Sequence, residues 1–357
     1  MIKRNPHEVE SLLVVRLSAM GDVIHALPAM TALRQALPHI KLGWLIEERW
    51  AELLCTRDDA RSGPRSLERP LVDRVHTVET KVWRRSMLSF NTWQQIGARR
   101  SELREVSYDA VIDLQGAIRS GLLSKWAGAP VVFGSAHPRE NAASMFYSRK
   151  IKVNDCDHVI EQGFDLVRAI VPTVPSSGSV LLPVDPVAEA KVDSLLSGTA
   201  RFAILNPGAG WGAKRWPAQR YGEVARELAE DNLISLVNCG PGEEDLAASV
   251  ITASSGAAKK ISCSISELIA LTRRANLFIG SDTGPMHLAA ALKIPVVAIF
   301  GPTNPARNGP FDTPAIVLRS PASVTDHSRH REPEQGLMEI PVKEVVEAAR
   351  KLSGLDR

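Results

Sequence analysis

The sequence has little of what marks many protein classes at a glance. Its 357 residues hold only four cysteines, Cys55, Cys156, Cys239 and Cys263. They are widely scattered and show none of the CxxC pairings of zinc or redox sites, which leaves them as reduced packing residues. The longest apolar stretches, such as residues 11–15 and 295–300, fall far short of the roughly 18 consecutive apolar residues that a membrane span needs. The opening MIKRNPHEVE has neither an apolar leader core nor a small-residue cleavage site, so a cytoplasmic location is expected. GxSxG, HExxH and GxxxxGK[ST] are all missing, which removes the common hydrolase, zincin and P-loop readings.

What is present describes a chain with buried cores. Hydrophobic residues make up 44% and charged residues 23%, and the length suits two or three ordinary domains rather than disorder or a collagen-like repeat. The net charge is +3. Residues 1–180 carry 24 Lys/Arg against 20 Asp/Glu and the remainder 19 against 20, so the excess is mild and sits in the first half. Within it, residues 81–104 hold Lys81, Arg84, Arg85, Arg99, Arg100 and Arg104 against the single acid Glu102. That is either a solvated helical face or a field suited to an anionic partner. The window has no recognised nucleic-acid motif and the overall charge is small, so no nucleic-acid partner is expected.

Short apolar segments alternate with longer amphipathic ones: 12–17 then 22–37, 42–46 then 47–55, and 110–114 then 117–127. Such alternation is the pattern of βα units and parallel sheets. It breaks at VPTVPSSGSV, residues 171–180, and then resumes. The later strands are 202–206, 233–238, 277–280 and 296–300, with helices from Ala218, Glu243, Ile265 and Gly284. The expected class is α/β, with two doubly wound, Rossmann-like domains facing each other across a cleft. Residues 1–175 form the first domain, 176–183 the linker and 184–330 the second. Residues 331–357 carry a last helix over 342–352 that packs on either domain, with a return to the first as one option.

Four motifs carry chemistry. In RLSAMGDVIHALPAM, Gly21 is expected to make a tight turn and Asp22 to open a helix, as a cap or as a general base aimed into the cleft. NPGAGWGAKRWP, residues 206–217, is a glycine-rich loop whose backbone approaches a phosphate and whose Lys214 neutralises it. Residues 214–217 separate its glycines from the next helix, so it is not a GxGxxG fingerprint. In GPGEE, residues 240–244, Glu243 or Glu244 either accepts from ribose hydroxyls or is simply a favourable charge in a helix's first turn. GSDTGPMHLAAAL, residues 280–292, ends a strand, turns at Asp282, Thr283 and Gly284, and starts a small-residue helix bearing His287, a natural diphosphate cradle. The pair Asp155 and Asp157 matches a metal-binding DxD pattern, but Asp157 immediately precedes a helical run over 158–170 and reads as its cap, so no metal is expected.

Taken together, VVRLSAMGDVIHALPAM, WLIEE (44–48), KVWRR (81–85), YDAVIDLQGAIRS (108–120), PRENAASMFYSRK (138–150), NPGAGWGAKRWP and SDTGPMHLAAA resemble the lipopolysaccharide heptosyltransferases of glycosyltransferase family 9. The resemblance covers nearly the whole chain and is strongest to the members that add the first heptose of the inner core. It implies a GT-B enzyme, inverting and metal-independent, that needs no cofactor. ADP-heptose would bind in the C-terminal half and Kdo-lipid A in the N-terminal half, with peripheral contact at the inner membrane surface. It further implies Asp22 as catalytic base, Lys214 as phosphate contact, Glu243 or Glu244 as ribose contact, and Asp282, Thr283, Gly284 and His287 as the donor-binding turn. Lys81, Arg84, Arg85, Arg119 and Arg139 would address the acceptor's anionic groups. Two departures stand out: Ala209, Gly210 and Gly212 replace hydroxyl side chains that meet the phosphates in some members, and residues 56–70 are a polar insertion beside the acceptor region. The first ten residues are an extension. Rival readings are a sugar-nucleotide epimerase on the same scaffold and a non-enzymatic two-lobed sugar-binding protein.

Overall fold

The computed structural model describes residues 9–326, 328 and 330–355. Residues 1–8, most of the expected extension, lie outside them, as do the final two residues of the C-terminal segment. The chain divides into two compact units between Val184 and Asp185, one residue past the end of the expected linker.

The first unit is built on a parallel sheet of six strands: β1 (Ser11–Val15), β2 (Lys41–Glu47), β3 (Arg74–Val78), β4 (Ala110–Asp113), β5 (Val131–Ser135) and β6 (Arg149–Ile151). Their order across the sheet is β3-β2-β1-β4-β5-β6. The crossovers include α1 (Met20–Ala36), α2 (Thr80–Arg85), α3 (Phe90–Glu105) and α4 (Ile118–Trp126), and α5 (Val159–Arg168) follows the last strand. Strand β1, SLLVV, is buried at all five positions, as expected of a central parallel strand covered on both faces. Burying each Leu or Val there contributes about 1.5–3 kcal/mol.

The second unit opens with α6 (Pro186–Leu195) and repeats the plan with β7 (Phe202–Asn206), α7 (Ala218–Glu230), β8 (Ile234–Asn238), α8 (Glu244–Ala253), β9 (Ala258–Ile261), α9 (Ile265–Arg274), β10 (Leu277–Ser281), α10 (Gly284–Ala291), β11 (Val296–Phe300), α11 (Pro305–Asn308), β12 (Ala315–Arg319), α12 (Gln335–Glu339) and α13 (Val342–Ser353). Its sheet runs β12-β11-β10-β7-β8-β9. Counted from each unit's own first strand, the two orders are the same doubly wound order, which reverses beside β1 and beside β7, where open α/β sheets bind ligands beyond the strand ends.

The last helix belongs to the second unit. Val345, Val346, Ala348 and Ala349 of α13 are buried in one cluster with Tyr221, Leu228 and Val297. Residues 47–55 form a 3-10 helix over Glu48–Leu53 rather than an α-helix. The strands that the alternation does not reveal lie away from the sheet centres. In β9, AKKI, both lysines are exposed, a common way of blunting a sheet edge that also hides the apolar signal. Among the described residues no helix is long and apolar enough to cross a membrane.

Candidate functional site

In the first unit the candidate residues follow the carboxyl ends of several strands: Asp22 follows β1, Lys81, Arg84 and Arg85 follow β3, Arg119 follows β4 and Arg139 follows β5. Beyond β1 the chain runs through a cis Ser18–Ala19 peptide into α1, whose cap is Ala19. Gly21 therefore makes no turn: it is the second residue of the helix. Asp22 is the third, and its Oδ2 accepts the Ala19 N–H at 2.9 Å while Oδ1 lies 3.1 Å from Arg16 Nη2. Arg16 Nε also donates to the Asp22 carbonyl at 3.0 Å. Asp22 is thus both a capping residue and a half-exposed carboxylate, with lone pairs to spare for a substrate hydroxyl.

The bracket around this turn comes from the DLQG run, close to a hundred residues away. Gln115 Oε1 accepts the N–H groups of Leu17 at 3.0 Å and Ser18 at 3.2 Å. Asp113 is buried, taking Gln115 N at 2.8 Å and Gly116 N at 3.2 Å on one oxygen. Its other oxygen takes Ser120 Oγ and Tyr147 Oη, both at 2.8 Å. Burial pushes the Asp113 carboxyl up against the pull of these donors, the signature of a structural group held inside the fold rather than one offered to solvent.

The cations assigned to the acceptor are partly assembled. Glu47, buried at the end of β2, accepts from Thr80 Oγ1, and Thr80 Oγ1 accepts from Arg119 Nη1 at 2.7 Å. Lys81 is held below the usual lysine range, first by the charge of Arg49, then by burial and by the charges of Arg119 and Arg85. Lys81, Arg85 and Arg119 therefore form one group, and Arg49, which the sequence motifs passed over, joins it. Polar or charged residues one to three positions beyond each parallel strand would have flagged both Arg49 and Gln115. Arg84 is exposed on the same short helix α2. Arg139 is exposed in a loop that packs on Gly116, where Glu140 N donates to the Gly116 carbonyl at 2.9 Å. Gly116 has φ +66°, and a Cβ there would sit 3.1 Å from Arg139 N, so glycine is required on both counts.

The polar insertion at 56–70 is ordered by its arginines. Buried Arg69 donates to the carbonyls of Val72, Pro64, Ala60 and Gly63. Arg61 pairs with Glu48, the neighbour of Arg49, which ties the insertion to the cation group.

In the second unit Lys214 joins the buried Asp282 and His287 in one chain. Lys214 Nζ donates to Asp282 Oδ2 at 2.6 Å and to its carbonyl at 3.2 Å, and lies 4.6 Å from the centre of the Trp211 ring. His287 Nε2 is 3.0 Å from Asp282 Oδ1. Burial alone would raise the Asp282 carboxyl, but His287 and Lys214 outweigh it and hold it far below the usual carboxylate range. Thr283 is the cap of α10 and its hydroxyl donates to the Ser281 carbonyl at 3.2 Å. Gly284 is the first helical residue, and the amides of this first turn carry the positive end of the helix dipole.

The glycine-rich loop is closed from within and from outside. Asn238 Nδ2 donates to Asn206 Oδ1 at 2.8 Å, and Asn206 Nδ2 to the Gly208 carbonyl at 2.9 Å. Arg215 donates through Nε and Nη2 to the Ala209 carbonyl at 3.3 and 3.1 Å. From outside, Ala213 N donates to the His330 carbonyl at 3.1 Å and Glu334 N to the Ala213 carbonyl at 3.2 Å. A Cβ on Gly212 would lie 1.6 Å from the Arg331 carbonyl oxygen, whereas one on Gly210 would meet nothing within 4 Å.

The two glutamates left as alternatives differ in placement. Glu243 turns toward the loop: a Cβ on Gly208 would fall 2.1 Å from its Oε2, which accepts the Gly240 N–H at 2.9 Å. Glu244 is exposed, and its carboxylate is held below its usual range by the backbone N–H groups of Glu244 and Gly242. It stands in the first turn of α8. The expected cap of α5 is corrected as well. His158, not Asp157, is the cap residue and accepts the Ile160 N–H through Nδ1 at 3.2 Å. Asp157 Oδ1 instead accepts from Asn154 Nδ2 at 2.8 Å. Among the described residues no group of three or more His, Cys, Asp or Glu is placed to hold a metal ion.

With these geometries in hand, comparison with known proteins gives a consistent result. A family model described as glycosyltransferase family 9 (heptosyltransferase) matches residues 96–337. The chain is 31% identical over 317 residues to lipopolysaccharide heptosyltransferase 1 of Pseudomonas aeruginosa, covering 87% of this chain and 83% of that one. It is 28% identical over 314 residues to the protein of the same name from Escherichia coli K12, covering 87% and 93%. The solved structure of E. coli heptosyltransferase WaaC with ADP superposes with a TM-score of 0.79 at 26% identity, covering 96% of this chain and 99% of that one. The two doubly wound sheets are those of the GT-B fold, and the chain belongs to glycosyltransferase family 9, the heptosyltransferases.

Proposed function

We propose that this glycosyltransferase moves L-glycero-D-manno-heptose from ADP-heptose to a Kdo residue of Kdo-lipid A, with inversion and without a metal, at the cytoplasmic face of the inner membrane. The observation that carries the donor half is the Lys214–Asp282–His287 chain at the start of α10. Asp282 takes two of the three ammonium donors and holds Lys214 in place, leaving one donor and the helix amides for a diphosphate.

Inversion needs a base on the face of the sugar opposite the leaving group, the geometry by which inverting glycosidases activate water, with the acceptor hydroxyl in water's place. In this role Asp22 accepts the hydroxyl proton as the oxygen bonds to the anomeric carbon and the bond from that carbon to the phosphate oxygen breaks. ADP departs as a stable anion and needs no proton. Lys214 and a helix start worth about half a positive charge stabilise the charge that develops on it. Arg16 and the Ala19 N–H orient Asp22. Glu243, turned toward Gly208, is placed for ribose hydroxyls. The group of Lys81, Arg49, Arg85 and Arg119, with Arg84 next to it on α2 and Arg139 on the loop packed against Gly116, suits carboxylates and phosphates of the acceptor, since guanidinium forks match such oxygens bidentately.

An assay of ADP release with and without Kdo-lipid A tests this reading. Release that depends on the acceptor, with the mass of the lipid raised by one heptose, is the expected result. Consumption of the donor without any acceptor would instead point to an epimerase on the same scaffold. Binding of UDP sugars in preference to ADP sugars would overturn the donor assignment.

A further inference from the structure

The turn between α2 and α3 presents a patch that the proposed chemistry does not use. Leu88 is fully exposed, Phe90 is 83% exposed, Met87 56% and Trp93 55%. Four large apolar side chains within seven positions are thus offered to solvent, which ordinary monomer surfaces avoid. The patch is held in shape: Trp93 Nε1 donates to the Met87 carbonyl at 2.8 Å, and Ser89 N to the Ser86 carbonyl at 2.9 Å. Phe90 and Trp93 are three apart on α3 and so share a face. Exposed basic residues stand on both sides, Lys81, Arg84 and Arg85 before it and Arg99 and Arg100 after it. The single acid of this stretch, Glu102, is taken up by His76 at 2.7 Å and Arg99 at 2.8 Å.

We infer that this patch docks the enzyme on an anionic phospholipid bilayer, with Met87, Leu88, Phe90 and Trp93 entering the headgroup boundary and the flanking cations meeting lipid phosphates. An apolar tip inside a collar of one charge sign is the composition of an interfacial membrane anchor, and long basic side chains reach headgroups while their stems stay in the apolar boundary. The same collar opposes a second copy of the chain, whose patch would bring like charges face to face. The inference deepens the proposed function, because a lipid-anchored acceptor is met at such a surface and α2 carries both the collar and part of the acceptor's cation group.

Flotation of the full chain with vesicles that contain no acceptor provides the test, comparing phosphatidylethanolamine–phosphatidylglycerol vesicles with phosphatidylcholine vesicles. The wild type is expected to bind the anionic vesicles at least about tenfold more tightly. The double variant Leu88→Ser/Phe90→Ser should lose about tenfold or more of that binding while melting at the wild-type temperature by circular dichroism. Equal binding by variant and wild type, or equal binding to both kinds of vesicle, would overturn the inference. So would a concentration-dependent dimer in sedimentation that the variant abolishes. Transfer to a delipidated, water-soluble acceptor should be unchanged in the variant. If vesicles bind as expected but no heptose is ever transferred to Kdo-lipid A, the functional reading fails and the docking surface stands.

Discussion

The two units share one strand order and treat their lysines in opposite ways. In the second, Lys214 is largely covered and bound to Asp282 at 2.6 Å. In the first, Lys81 is exposed among Arg49, Arg85 and Arg119, and their charges weaken its hold on its own proton. A cation neutralised in advance belongs to a site already shaped for a small ligand of constant form. Cations left facing one another form a site that stays electrostatically unsatisfied until an anion arrives, and its attraction reaches outward and fades with salt.

The sharpest way to test this division is Asp22→Asn. Turnover should fall by roughly 10²–10⁴-fold while ADP binding, measured by calorimetry, is unchanged. A loss of ADP affinity instead would mean that Asp22 serves the donor, and the division of labour would break.

Next in size are the members of the Lys214–Asp282–His287 chain. Lys214→Ala or Asp282→Asn leaves a partner buried without its opposite charge and should cost about 3–5 kcal/mol of stability, read from urea unfolding. Because the folded Asp282 carboxyl is held far below its usual range, its contribution is fully present above the unfolded value of about 3.9. It is lost as pH falls from there toward the folded value. The stability gap between wild type and Asp282→Asn should therefore narrow on acidification below about pH 4. A gap that stayed constant would show that the carboxylate's charge is not what matters.

Removing Arg49 or Arg119 in the first unit should act on recognition rather than folding. Each change to Ala is expected to raise the acceptor KM by roughly 10–100-fold, in line with about 1.5–3 kcal/mol for a charged hydrogen bond. The donor KM should hold, and the effect should shrink at high ionic strength. Lys81→Ala should leave the melting temperature unchanged or slightly higher, since it relieves repulsion. A marked drop in melting temperature would erase the contrast with Lys214. The smallest effect is expected at Gly210, where a Cβ has open space. Gly210→Ser should fold normally and bind ADP as tightly or a few-fold more tightly, by returning a hydroxyl to the loop.

Much of the architecture was legible because buried parallel strands are apolar runs. Strands 202–206 and 296–300 and the helix starts at Ala218, Ile265 and Gly284 were read at their observed positions. Edge strands such as β6 and β9 were not, since lysine and arginine on an edge mask the strand pattern. At the site, the SDTG run announced its helix start, but nothing in local sequence couples Lys214 to Asp282 across 68 positions. Gly21 misled because glycine before a helix suggests a turn, whereas here the helix begins one residue earlier. Glu243 and Glu244 could not be told apart until the backbone turned one toward Gly208. Arg49 was missed because its company, Lys81 and Arg119, is assembled only by the sheet.

The loop that carries Lys214 is clasped by the carbonyls of His330 and Arg331 and the amide of Glu334, more than a hundred residues later. As the chain emerges during synthesis, β7 and α7 can pair with their neighbours early, but the Lys214 loop has no outer wall until residue 334 has been made. With the donor role proposed for this loop, nucleotide affinity should be among the last properties the nascent enzyme acquires, and a chain stopped before residue 330 should lack it with every side chain proposed to contact the nucleotide intact.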